Sequence, residues 1–170
     1  MPSVVPSAAA AAGDAGAPSV VTTTTTPAIL RSLQNGSDVR GVALEGVPNE
    51  PVTLNEEAAY LIGAAFADWL AEKTGEPPES LSIAVGRDPR LSGPALANAM
   101  FAGFASRGVG RLIDLGLATT PACFMSTVTP ETNYDAGIML TASHLPFNRN
   151  GAKFFTREGG LDKADIADVC

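Results

Sequence analysis

Histidine, cysteine and tryptophan are almost missing from this sequence: 170 residues hold one His, two Cys and one Trp. One imidazole and two thiols without C-x-x-C spacing cannot complete a Cys/His zinc set. Cys123 and Cys170 therefore read as two free thiols of a reducing compartment. Charge is also scarce, at 17% of residues, and lopsided, with 11 Lys and Arg against 18 Asp and Glu for a net charge of -7. That balance argues against nucleic acid or an anionic membrane as partner, because binding a phosphate backbone needs concentrated Lys and Arg. No apolar run approaches the ~20 residues of a membrane span. A single small phosphate ester is still allowed, since two or three cations in one cleft can hold it while the rest of the surface stays acidic. Neither the G-x-S-x-G elbow of serine hydrolases nor the G-x-x-x-x-G-K-[ST] loop of P-loop phosphotransferases is present.

What remains has the make-up of one soluble globular domain, 45% apolar and long enough to bury roughly two-thirds of its unfolded surface. Residues 1–35 read as a disordered low-complexity leader, with alanines from Ala8 to Ala12, threonines from Thr22 to Thr26 and Asp14 as the one charge before Arg31. Such a segment cannot offset its ordering entropy. Two readings of it stay open, a leader without an address and the remnant of a plastid transit peptide, so the expected compartment is cytoplasmic or plastid. Asn35-Gly36-Ser37 matches a glycosylation triplet without any secretory context.

Residues 36–170 read as the folded domain. Thr53-Leu54-Asn55-Glu56 is a capping box opening a helix whose apolar stripe runs from Leu54 to Leu70 and stops at Gly75. Leu81 to Val85 is a strand; Ser92 caps a helix that ends near Gly108; Leu112 to Leu115 is a strand. Thr119-Thr120-Pro121 opens a helix with Phe124, Met125 and Val128 expected in the core. Asn133 to Leu140 is a strand, and Leu161 to Val169 a helix in which the chain stops at Cys170, an ending expected of a truncated chain. Strands alternating with helices predict an α/β layered domain whose sheet is mixed, mostly parallel, and sandwiched between helices. Ligands of such sheets gather outside the carboxyl ends of the strands.

The stretch from Gly137 to Phe155 carries the chemistry. Ile138 to Leu140 is a buried strand, Pro146 and Asn150-Gly151 are turn signals, and Phe154-Phe155-Thr156 is a second short strand. His144 follows Ser143 directly, and Lys153 lies ten positions after the serine. A hydroxyl, an imidazole and an ammonium at the mouth of a strand make a candidate phosphate or nucleophile site. Thr141-Ala142-Ser143-His144-Leu145-Pro146 followed by Asn150-Gly151-Ala152-Lys153 closely resembles the signature of the α-D-phosphohexomutases, usually T-[AG]-S-H-N-P and then N-G-x-K. Leu145 stands in place of the usual asparagine, and Phe147-Asn148-Arg149 in place of a commoner acidic or tyrosine-containing spacer. Asp38-Val39-Arg40-Gly41 resembles the family's D-[IV]-R-G, and Gly86-Arg87-Asp88-Pro89-Arg90 with Ser92-Gly93 its G-R-D-x-R-x-S-G.

The resemblance covers about residues 36 to 170 and implies the first of the family's four domains. It implies that Ser143 carries the transferred phosphate and is the phosphate-bearing ligand of Mg²⁺. Arg40 would reach the phosphoserine, where a guanidinium fork matches phosphate oxygens, and Lys153 would neutralise oxygen charge in a loose transition state. His144 would orient the serine or shuttle a proton, or simply cap its loop. Arg87 and Arg90 read as structural or inter-domain residues, with anion binding beside the N-terminus of the following helix as the alternative. The implied activity is an intramolecular phosphotransfer between hexose 1-phosphate and hexose 6-phosphate through a hexose 1,6-bisphosphate. The implied partners are those sugars and the missing downstream domains, which supply the Asp-Gly-Asp metal loop, sugar recognition and distal-phosphate binding. The isolated domain is expected to be inactive. The rival reading is a non-catalytic phosphosugar-binding or regulatory paralogue, and Leu145 is its support.

Overall fold

The computed structural model describes residues 3–5 and 25–170, with side chains described from Thr25 onward. Its strands are β1 (Ser3–Val5), β2 (Gln34–Asn35), β3 (Asp38–Val42), β4 (Ser82–Arg87), β5 (Arg111–Leu117), β6 (Ala136–Leu140), β7 (Arg149–Thr156) and β8 (Gly159–Gly160). Its helices are α1 (Pro27–Ser32), α2 (Glu56–Thr74), α3 (Gly93–Ser106), α4 (Thr120–Val128) and α5 (Lys163–Val169). One sheet takes the order β1-β5-β4-β6-β7-β3-β2, with β8 added on β7.

The expected mixed sheet between helices is what the chain forms, and the connections explain its mixture. β4 reaches β5 through α3, β5 reaches β6 through α4, and both helical crossovers give parallel pairs, so β5-β4-β6 is a parallel core. β6 turns back into β7 through a short loop, and β7, β3, β2, β8 and β1 all pair antiparallel with their neighbours. β4 sends its chain toward β5 while β6 sends its chain the other way. The crevice outside the ends of β4 and β6 is thus a topological switch point.

Alternation along the strands divides the two faces. Val39, Ile83, Val85, Ile138, Leu140, Ala152 and Phe154 join the buried cluster that includes Ile62, Phe66 and Leu70 of α2 and Met100 and Phe104 of α3. Phe66 is the pivot, fully buried, with its ring centroid 4.8 Å from that of Phe154 and 6.4 Å from that of Phe104. On the other face Cys123 of α4 lies against β6, its Sγ 3.7 Å from Met139 Sδ. Burial pushes the Cys123 thiol up to about 11, and that of Cys170 likewise. Both cysteines are free thiols, as expected.

Several local expectations change. Within the expected leader, residues 1–2 and 6–24 lie outside the described residues, but Ser3–Val5 pair with β5 as β1 and 26–35 form structure. Thr26 caps α1, and Leu33 is buried in the core against α2. Helix α2 is capped by Asn55, whose side chain accepts from the Ala58 N–H at 2.8 Å. Thr53 instead turns its hydroxyl to the Val42 N–H at 3.1 Å, holding β3. Met125 and Val128 are exposed rather than core, because α4 lays its small residues Cys123, Ser126 and Thr127 on the sheet. Asn150-Gly151 is not a turn but the start of β7, paired with Gly41 and Arg40 of β3.

Candidate active site

Strand parity assembles the cations. Arg40 pairs with Gly151 across β3 and β7, so Asp38 and Lys153, each two residues away, share their face of the sheet. There Asp38 Oδ2 accepts from Arg40 Nη2 at 3.0 Å and from Lys153 Nζ at 2.5 Å. The Arg40 side chain crosses over β7, where a Cβ on Gly151 would sit 2.8 Å from its Cδ and 2.2 Å from the Val39 carbonyl oxygen. Glycine at 151 therefore opens the path by which Arg40 Nη1 donates to the Thr141 carbonyl at 3.1 Å. Gly41 serves the same segment from the other face, since a Cβ there would lie 2.7 Å from both Leu33 and Leu54.

Ser143 sits just past the end of β6, exposed, with φ +55. A non-glycine residue in the left-handed region is held there by its surroundings, at a cost of roughly 1–3 kcal/mol. Its N–H donates to Thr141 Oγ1 at 2.9 Å and its carbonyl accepts from Arg90 Nη2 at 2.8 Å. Its Oγ lies 3.4 Å from Nδ1 of the exposed His144, a long contact that leaves the hydroxyl largely open to an incoming group. The cleft beside it measures about 390 Å³ and is lined by Asp88, Pro89, Arg90, Leu91, Ser143 and Phe147.

The four expected site residues thus fall into two pairs. Ser143 and His144 touch, and Arg40 and Lys153 meet on Asp38. Arg40 reaches the backbone two residues before the serine; among the described residues neither cation touches Ser143 Oγ. Asp38 was missed in the sequence reading, although alternation along D-V-R-G already places it beside Arg40. Asp88 and Thr141 were missed as well: Thr141 Oγ1 donates to Asp88 Oδ2 at 2.7 Å. No sequence signal announces that pairing, because its partners lie 53 residues apart.

For Mg²⁺ the described residues fit poorly. They bring no three His, Cys, Asp or Glu side chains together at a point that could hold a metal ion. The carbonyls of Ser143 and Leu145 already accept from Arg90. Mg²⁺ prefers about six oxygens, and Ser143 Oγ would be one.

The layered α/β/α domain thus displays a serine at a sheet switch point, with an Arg–Lys pair held on strands β3 and β7. A family model described as phosphoglucomutase/phosphomannomutase, alpha/beta/alpha domain I, matches residues 31–168, and the chain belongs to that family. It is 41% identical to a phosphoglucosamine mutase of Symbiobacterium thermophilum over 73% of this chain and 25% of that protein. It is 43% identical to a phosphoglucosamine mutase of Corynebacterium glutamicum over 68% of this chain and 25% of that one. A crystal structure of a phosphoglucomutase/phosphomannomutase family protein from Burkholderia thailandensis aligns with a TM-score of 0.67 and 28% identity, over 82% of this chain and 29% of that one. The chain spans about a quarter of the length of the curated relatives it matches. Among the described residues no helix is long and apolar enough to cross a membrane.

Proposed function

We propose that this chain is the serine-bearing domain of a phosphohexomutase, and that Ser143 carries the phosphoryl group exchanged with a hexose phosphate. The observation behind this reading is the exposed hydroxyl of Ser143, held in an uncommon backbone conformation at the switch point, with Arg40 and Lys153 on the neighbouring strands. In the forward step a sugar hydroxyl oxygen attacks the phosphorus of phosphoserine. The P–Oγ bond breaks, the new P–O bond forms, and the proton of the sugar hydroxyl ends on Ser143 Oγ, passed directly or through His144. The resulting hexose 1,6-bisphosphate turns round and returns its other phosphoryl group to Ser143, so the serine ends as it began.

Serine is a poor nucleophile and its alkoxide a poor leaving group without help. In a loose phosphoryl transition state that help is mostly charge neutralisation. Arg40 presents a permanently charged fork and Lys153 an ammonium, and Asp38 holds both in place until phosphate oxygens draw them away. Mg²⁺, when bound, would supply further charge neutralisation at the phosphoryl oxygens, with Ser143 or its phosphate as this chain's single ligand and the remainder from segments outside it. The downstream domains would also read the sugar, so this domain alone is expected to fold without turning over substrate. The relatives' names add hexosamine phosphates to glucose and mannose phosphates as substrates to try.

Leu145 is the residue on which the rival reading, a non-catalytic paralogue, rests. It enters the loop through its backbone, its N–H donating to the Ala142 carbonyl and its own carbonyl accepting from Arg90. Those two bonds do not involve its side chain, so the reading proposed here expects the loop frame to hold with leucine at this position. The test is turnover of glucose, mannose and glucosamine 1-phosphates by the full-length protein with Mg²⁺ and the matching bisphosphate. Conversion lost in Ser143→Ala supports the reading, and binding of these sugars without conversion supports the paralogue.

A further inference from the structure

We propose that Asp88, Arg90 and Thr141 form a closed clamp that fixes the backbone of Ser143 and so positions its hydroxyl for phosphoryl transfer; the positioning role rests on the function proposed above. The ring can be traced bond by bond. The Ser143 N–H donates to Thr141 Oγ1 at 2.9 Å, and Thr141 Oγ1 donates to Asp88 Oδ2 at 2.7 Å. Asp88 Oδ2 also accepts from Arg90 Nε at 3.2 Å, and Arg90 Nη2 returns to the Ser143 carbonyl at 2.8 Å. Both peptide groups of the serine are therefore tied to one carboxylate–guanidinium pair, anchored on the loop that leaves β4.

The same guanidinium excludes a more obvious role for itself. Nη1 donates to the carbonyls of Pro146 and Arg149 at 2.8 and 3.0 Å, and Nη2 also donates to that of Leu145 at 3.0 Å. With Nε on Asp88, every N–H of the fork is engaged, and none is left for a phosphate oxygen. Arg90 lies beside the cleft, yet it acts through Ser143 and is a positioning residue.

A φ of +55 is not where a serine rests by preference. Without the two anchors the residue would relax to negative φ and swing Cβ and Oγ away from the mouth of the cleft. A reacting atom displaced by about 1 Å can cost on the order of a hundredfold in rate. Locking both sides of the peptide keeps the hydroxyl in one direction whether or not it carries phosphate.

The experiment uses the full-length protein and three variants: Thr141→Val, Thr141→Ser and Arg90→Lys. Single-turnover transfer from glucose 1,6-bisphosphate to Ser143, followed by intact mass, gives a maximal rate and a half-saturating concentration. Hydrogen exchange of the peptide holding Ser143 reports the anchors independently of chemistry. Thr141→Val should slow the maximal rate about tenfold or more with the half-saturating concentration little changed. It should also speed exchange, and Thr141→Ser should restore both. Arg90→Lys, which keeps charge but cannot span the carbonyls, should act like Thr141→Val. Should it fail to fold, the Thr141 pair decides alone. Wild-type rates in folded Thr141→Val would overturn the clamp, as would a change confined to half-saturation or an unprotected Ser143 amide in the wild type. A protected amide in a wild-type protein that takes up no phosphate would overturn the phosphoryl-transfer reading and reduce the clamp to a loop support.

Discussion

Two arginines flank the serine loop, and the fold treats them in opposite ways. Arg90 has all its donors engaged, on Asp88 and on the carbonyls of Ser143, Leu145, Pro146 and Arg149. Arg40 makes one bond to the Thr141 carbonyl and one to Asp38, which it shares with Lys153. Their side chains are similarly secluded, at 14% exposed for Arg40 and 13% for Arg90, so burial does not separate them. Donor use does. A guanidinium saturated by backbone carbonyls shapes a loop, whereas one held mainly by a carboxylate can exchange that partner for a phosphate.

The most damaging change would strike both sides at once. In Gly151→Ala the new Cβ meets the Val39 carbonyl oxygen and the Arg40 side chain. Strand β3 must move from β7, with an expected loss of about 3 kcal/mol or more, read as a fall in the urea midpoint. An unchanged midpoint would mean that Arg40 does not depend on the path over Gly151.

Next come the cations themselves. Arg40→Ala and Lys153→Ala should each lower turnover of the full-length protein about ten- to a hundredfold, as loss of a charge-assisted contact worth roughly 1.5–3 kcal/mol. Their melting temperatures should stay near that of the wild type. Arg90→Ala should lower the melting temperature clearly, because it leaves Asp88 and several loop carbonyls without their shared donor. If the two arginine variants changed stability and turnover in the same proportions, the distinction between them would collapse.

A smaller effect should appear in acid. Glu50 ties down the far end of the loop: Asn148 Nδ2 donates to it at 2.8 Å and Arg149 pairs with it at 2.9 Å. The Asn148 hydrogen bond, followed by that of Arg149, holds its carboxyl below the ordinary range. A group with a depressed folded value contributes stability above its unfolded value, about 4.3, and loses it as pH falls through the folded one. Unfolding midpoints taken from neutral pH down to about 3 should therefore fall less steeply in Glu50→Gln than in the wild type. Identical acid limbs would remove Glu50 from the loop's support.

Much of this was legible in the chain. Helix periodicity locates α2 and α3, the parallel core follows from alternating strands and helices, and three short motifs carry the family resemblance. The misses share a cause. Asn150-Gly151 has the local chemistry of a turn, yet the glycine is there to let β3 and the Arg40 side chain come close, a requirement set by a strand more than a hundred residues earlier. Met125 and Val128 look like core until the sheet shows that α4 rests on Cys123 and Ser126. The positioning role of Arg90 is not legible in the chain, because most of its targets are backbone carbonyls, which carry no side-chain signature.

The central claim is that Ser143 carries the phosphoryl group. The direct measurement is peptide mass spectrometry of the full-length protein after incubation with glucose 1,6-bisphosphate, beside Ser143→Ala treated in the same way. The expected result is one phosphate on the peptide from Thr141 to Lys153, assigned to Ser143 by fragmentation and absent from the variant. Phosphate found only on another residue, or equal uptake by Ser143→Ala, would contradict it.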